Sequence, residues 1–203
     1  RLVGSEMCIR DRVESLKLFP LSYHSQRLVV LEQVSACYGN PPIPVSEPVT
    51  MEIRNGDRIC LRGKNGCGKS SLFRLILGEQ TEAAGKIWRG SGLKISYVSQ
   101  DTSHLRGSLR EYARAFQVEE HLICALLRKL DFSREQLEKP LEALSQGQKK
   151  KVLIARSLCE QAHLYLWDEP LNYVDVYSRI QIEELILKFQ PTMVFVEHDA
   201  EFA

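Results

Sequence analysis

Apolar and polar residues alternate along 27–39 ("RLVVLEQVSACYG") and 48–63 ("PVTMEIRNGDRICLRG"), the period of two expected of half-buried strands. Asn55-Gly56 divides the second stretch and predicts a hairpin turn between two strands. In 68–80 ("GKSSLFRLILGEQ") the pattern changes to Leu72, Phe73, Leu75 and Ile76, the spacing of a helix, and Gly78 supplies a stop. Short strands are expected at "KIWRG" and "KISYVSQD", 86–90 and 94–101. From Ser108 to Leu144 strand signals vanish and helical segments follow, "SLREYARAF" and "EEHLICALLRKL". "HLYLWDEP" (163–170) and "TMVFVEH" (192–198) are short apolar strands, and "VYSRIQIEELILKF" (176–189) between them is a helix. Strands alternating with helices around a helical insert predict an α/β fold with a parallel core sheet.

Composition narrows the class. The 203 residues are 44% hydrophobic and 26% charged, enough for one sizeable domain with a real core. No apolar run approaches the ~18 residues of a membrane span, so the chain is not expected to cross a bilayer by itself. Cysteines at 8, 37, 60, 67, 124 and 159 form no CxxC pair, which favours free thiols in a reducing, cytoplasmic setting. The net charge of +1 predicts no partner, and DNA is not expected as one. Leu2–Asp11, "LVGSEMCIRD", resembles a sequencing-library transposase adapter translated in frame, so residues 1–12 are set aside from fold reasoning. Without them 24 basic and 24 acidic residues remain. Residues 13–26 lack a clean period and contain Pro20; they are expected to be the end of a linker. The chain stops at "VEHDAEFA" without a helix-ending signal, and both ends look cut from a longer protein.

Two stretches are built for phosphate. Gly63 to Ser70, "GKNGCGKS", fits G-x-x-x-x-G-K-[ST] between a strand and a helix. Gly63, Asn65, Gly66, Cys67 and Gly68 let backbone amides wrap phosphates, with Ser71 in the helix that follows; Lys69 reaches the β/γ oxygens and Ser70 can ligate Mg²⁺. Cys67 needs only its amide there, so a small filler suits it better than a redox role. The second stretch, "LSQGQ" (144–148), pairs Ser145 with Gln148 three positions on, a capping box at a helix head whose free amides suit an anion. Asp168 and Glu169 end an apolar strand, where α/β sheets hold ligands. Asp168 suits Mg²⁺ and Glu169 the polarisation of an attacking water.

Taken in order, Gly63–Ser70, "YVSQD" (97–101), "LSQGQ", "LYLWDEP" (164–170) and "VEHD" (196–199) resemble an ATP-binding cassette nucleotide-binding domain from about Arg27 to the end. The resemblance implies a P-loop NTPase fold with an antiparallel β subdomain and a helical signature lobe at about 104–144. It implies ATP and Mg²⁺ as cofactors, ATPase activity, Gln100 near Mg²⁺ and the attacking water, and His198 at the γ-phosphate. Tyr38 matches the aromatic that stacks on adenine, with core packing as the alternative. In this family two cassettes pair head to tail, so Ser145, Gly147 and Gln148 would serve the nucleotide of a second cassette, expected upstream on the same polypeptide. Gln146 departs from the commoner LSGGQ.

After Glu169 the sequence runs Pro170-Leu171-Asn172-Tyr173-Val174-Asp175, where transporter cassettes typically have a Ser-Ala-Leu-Asp-like loop. DEP-x-N-x-x-D resembles the ABC-F proteins, soluble tandem cassettes acting on ribosomes, and implies Asp175 at the nucleotide. "LKLFPLSYH" and the run from Leu144 to Asp175 look closest to the second cassette of Lsa/Vga-type antibiotic-resistance members. Lys149, Lys150 and Lys151 are candidates for ribosomal RNA phosphates, with a solvated helix face as the alternative. Two other readings stay open: the ATPase subunit of a membrane transporter, and a regulatory cassette that binds ATP without turnover.

Overall fold

The computed structural model describes residues 20–39, 41–44, 46–64, 66–79 and 83–197. The chain divides into two compact units. One holds all the strands: Pro20–Val98, Ala162–Pro170 and, among the described residues, 190–197. The other is helical and takes in Ser99–Gln161 and Leu171–Phe189.

In the strand unit β1 (Arg27–Tyr38) pairs antiparallel with β2 (Ile43–Pro44), β3 (Val49–Arg54) and β5 (Ala83–Arg89). A second sheet, wholly parallel, runs in the order β4 (Arg58–Leu61), β8 (Met193–Val196), β7 (Leu164–Asp168), β6 (Ile95–Val98). The register places Leu61 beside Val196, Val196 beside Asp168 and Trp167 beside Val98, so all four strands end along one edge. That edge is where an open α/β sheet carries its ligands. Helix α1 (Lys69–Leu77) buries Leu72, Phe73, Leu75 and Ile76 in the core with Leu164, Leu166, Val194 and Val196. Gly78 ends it at φ 81°, its amide donating back to Leu75 as the helix stop predicted.

One expectation fails here. Asn55-Gly56 does not make a hairpin: β3 belongs to the antiparallel sheet, whereas β4 joins the parallel sheet beside β8. Of the two turn residues Gly56 takes positive φ (90°), whereas a two-residue type I′ hairpin needs it at both. The turn therefore hands the chain from one sheet to the other, closed by the Asp57 amide on the Arg54 carbonyl at 3.1 Å. Of the stretch expected to end a linker, 20–26 are described. Tyr23 is buried, its hydroxyl donates to the Ser91 carbonyl at 2.6 Å, and the Leu21 amide donates to Ala162 at 2.8 Å. This stretch is part of the strand unit. Residues 1–19, including the adapter-like stretch, lie outside the described residues.

The helical unit contains α2 (Leu109–Ala115), α3 (Glu120–Lys129), α4 (Arg134–Glu138), a 3₁₀ turn (Leu141–Ala143), α5 (Gln146–Cys159) and α6 (Val176–Phe189). It is larger than the expected insert at 104–144, because α5 and α6 belong to it. Serine capping boxes start α2, α4 and α5, at Ser108, Ser133 and Ser145. Ile123, Leu126 and Leu127 of α3 and Val152, Leu153, Ile154 and Ala155 of α5 are fully or almost fully buried.

Candidate nucleotide site

The loop after β4 turns twice through conformations that favour glycine, Gly66 at φ 80° and Gly68 at φ 93°. Gly68 is the N-cap of α1 and offers no side-chain cap, so the first-turn amides stay available to an anion. It is also crowded: a Cβ there would lie 2.8 Å from the Cβ of Ser46, a neighbour the motif gave no hint of. Lys69 Nζ reaches back across the loop, donating to the Gly63 carbonyl at 2.7 Å and the Lys64 carbonyl at 3.0 Å. Ser70 and Ser71 stand in the first turn of α1. The Tyr38 hydroxyl is 3.0 Å from Ser71 Oγ and the residue is 42% exposed, so core packing does not describe it. Asn65 and His198 lie outside the described residues.

Asp168 closes β7 at 1% exposure, beside Tyr97, whose phenol is raised by burial and then by that carboxylate. Glu169 follows at φ 48° and 9% exposure. A left-handed glutamate costs energy that the surrounding structure must meet, a condition concentrated at functional sites. These residues fit a magnesium nucleotide: amides and a cation for phosphates, and a hydroxyl with a buried carboxylate as hard oxygen donors. Among the described residues no cluster of three or more His, Cys, Asp or Glu side chains could hold a metal by itself.

The remaining candidates lie in the helical unit: Gln100, Ser145, Gly147, Gln148 and Asp175. The capping box at α5 is as predicted, with Gln148 N on Ser145 Oγ at 3.3 Å and Ser145 N on Gln148 Oε1 at 3.0 Å. A Cβ at Gly147 would run into the carbonyl oxygen of Tyr173, so only glycine lets these two backbones meet. Asp175, expected at the nucleotide, is bonded within its own unit. It accepts from Ser178 N at 2.9 Å, pairs with Ser178 Oγ at 3.0 Å, and meets Lys151 Nζ at 2.7 Å. Burial acts to raise its carboxyl, but the bonds from Lys151 and Ser178 outweigh it and bring it down to about 2.

The lysine run is a correction. Lys150 is 2% exposed and donates to the Ser99 carbonyl at 2.9 Å; Lys151 is 8% exposed and donates to the Leu130 carbonyl at 2.9 Å. Neither is on a solvated face or available to RNA, and only Lys149 of the three is partly exposed. Sequence alone gives no sign of this, since Ser99 and Leu130 lie 51 and 21 residues away.

Known proteins resemble most of the chain. A family model described as "ABC transporter" matches residues 46–172. The ATP-binding protein Uup of Escherichia coli is 30% identical over 182 residues, covering 86% of this chain and 29% of that protein. The ribosome protection protein VmlR of Bacillus subtilis is 28% identical over 181 residues, 87% of this chain and 32% of its own. The chain thus spans about a third or less of these relatives. Among solved structures, a bacterial Atm1-family ABC exporter with ATP bound superposes with a TM-score of 0.77 at 17% identity, over 91% of this chain and 37% of that one. A putative cobalt transport ATP-binding protein, ST1066, gives 0.73 at 22%, over 86% and 71%. These show the fold, that of an ABC nucleotide-binding domain. No helix of the described residues is long and apolar enough to cross a membrane. With its phosphate loop at one end of a parallel sheet and a family match over most of its length, the chain belongs to the ABC transporter family of ATP-binding domains.

Proposed function

We propose that this chain is an ATP-hydrolysing cassette of an ABC-F protein that acts on the ribosome, working with a second cassette. The observation that carries the reading is Asp168-Glu169-Pro170-Leu171-Asn172-Tyr173-Val174-Asp175. It joins the buried carboxylate and the left-handed Glu169 to the ABC-F form of the following loop. Similarity to Uup and VmlR over 86% and 87% of this chain supports it. The Lsa/Vga-type likeness of the signature run makes antibiotic protection the finer proposal.

In this reading Tyr38 would stack on adenine, the loop amides and Lys69 would hold the β- and γ-phosphates, and Ser70 and Asp168 would hold Mg²⁺, which would supply positive charge to the phosphate oxygens; the resemblance implies the same role for Gln100. Glu169 orients and polarises a water that attacks the γ-phosphorus in line, and ADP leaves. The resemblance implies that His198 would contact the γ-phosphate and that Ser145, Gly147 and Gln148 would close over a partner cassette's nucleotide.

The test is made in the full-length protein. Glu169→Gln keeps size and hydrogen bonding but loses the charge. Turnover should fall ~10²–10⁴-fold, the contribution of a positioned acid–base group. ATP should still bind, and the closed protein should accumulate on pelleted ribosomes. Lys69→Ala should not engage at all. Equal ribosome pelleting of both variants and wild type would overturn the ribosomal role, and ATP-dependent retention on membranes would favour a transporter subunit.

A further inference from the structure

Gln146 replaces the glycine more usual after the signature serine, and its side chain has a definite partner. Thr102 Oγ1 donates to Gln146 Oε1 at 2.6 Å, and Thr102 is 4% exposed. One turn later on the same face of α5, the buried Lys150 ammonium donates to the Ser99 carbonyl. Both bonds thus land on one short segment, Ser99–Thr102, on either side of Gln100. That segment is also closed on itself. Ser99 Oγ donates to the Asp101 carbonyl at 2.6 Å, and Asp101 accepts from Ser103 N at 2.8 Å and Ser103 Oγ at 2.6 Å. Gln100, Thr102, Gln146, Lys150, Asn172 and Tyr173 line one cleft of about 430 Å³.

We propose that Gln146 and Lys150 are positioning residues for hydrolysis: they hold Gln100 in fixed register with Ser145 and the head of the signature helix. The inference rests on the ATPase reading of Gln100. A glycine at 146 has no side-chain acceptor to offer Thr102, so Gln146 adds a tether that the commoner signature sequence cannot make. A buried lysine is a demanding second tether, because its charge must keep its acceptor. Only the Mg²⁺- and water-facing step should depend on this register. Initial ATP binding depends on Lys69 and Tyr38, which belong to the other unit.

In the full-length protein, Gln146→Gly and Thr102→Val should each lower kcat about five- to tenfold, the effect of one lost hydrogen bond on a transition state. KM for ATP should stay within about twofold. Thr102→Ser, which keeps the hydroxyl, should restore the rate. The double variant should lose no more than either single one, since both remove the same bond. Amide exchange at 101–103 should quicken in Gln146→Gly. Unchanged kcat, equal change in kcat and KM without rescue by serine, or additive losses would each overturn the proposal. If wild type shows no turnover, the ATPase reading fails instead, and the tether is then judged on exchange alone; unchanged exchange overturns it.

Discussion

Lys151 and Asp175 meet at 2.7 Å with side chains 10% and 54% exposed. Lys151 also holds the Leu130 carbonyl, to which Ser178 Oγ donates at 3.4 Å, so one ammonium ties α5, the end of α3 and the start of α6. Asp175→Asn leaves that buried cation short of its counter-charge. Removing one partner of a fully buried pair costs about 3–5 kcal/mol. Asp175 is half in solvent, so about 1–2 kcal/mol is expected after screening. Its folded pKa of about 2 lies below the ~3.9 of an unfolded aspartate. The stabilisation is therefore present above about pH 4 and disappears as pH falls towards 2. Melting temperatures from pH 7 to pH 2 should show a gap between wild type and Asp175→Asn that narrows below pH 4. A gap constant with pH would contradict the ion pair.

Helix α5 begins in a capping box and carries the residues proposed to meet a partner's nucleotide. Ser145 Oγ satisfies the Gln148 amide, and Gln148 returns the bond to Ser145. Replacing such a cap with alanine costs about 1 kcal/mol, or about 2–4 °C in Tm for a chain of this size. If Ser145 also binds phosphate, Ser145→Ala should lower full-length ATPase turnover by far more than that stability loss explains. A variant that melts a few degrees lower yet hydrolyses ATP like wild type would leave Ser145 as a cap alone. The boundaries of β7 and α6 were readable because each pattern is local. The Asn55-Gly56 turn was misread because a turn signal does not say which strands will pair. β4 finds its neighbour in β8, with Arg58 opposite Met193, far along the chain.

At the scale of the molecule, the phosphate loop and the acidic strand end belong to one unit and the signature helix to the other. If, as proposed, another cassette's signature completes the site, the chain cannot turn over efficiently alone. The 203-residue chain should bind ATP through Lys69 yet hydrolyse it slowly, with a rate per molecule that rises with protein concentration or on adding a partner cassette. Turnover strictly first order in protein, with no gain from a partner, would count against a shared site. Full occupancy of ATP without any turnover under these conditions would instead favour a regulatory cassette.

The order of the strands and helices, the phosphate loop, the acidic strand end and the capping boxes were set by residues within a few positions of one another. Their chemistry is local: backbone dihedrals, turn-to-turn hydrogen bonds and apolar period. What lay beyond the sequence came from contacts between distant segments. Burial withdrew Lys150 and Lys151 from solvent because Ser99, Leu130 and Asp175 were brought to them. The same packing gave Asp175 its low pKa and pressed Gly147 against the Tyr173 carbonyl. It also buried Tyr23, in the stretch expected to end a linker, with its hydroxyl on the Ser91 carbonyl. A side chain's type fixes what it can bond, but its charge state and exposure depend on neighbours that only the folded chain assembles.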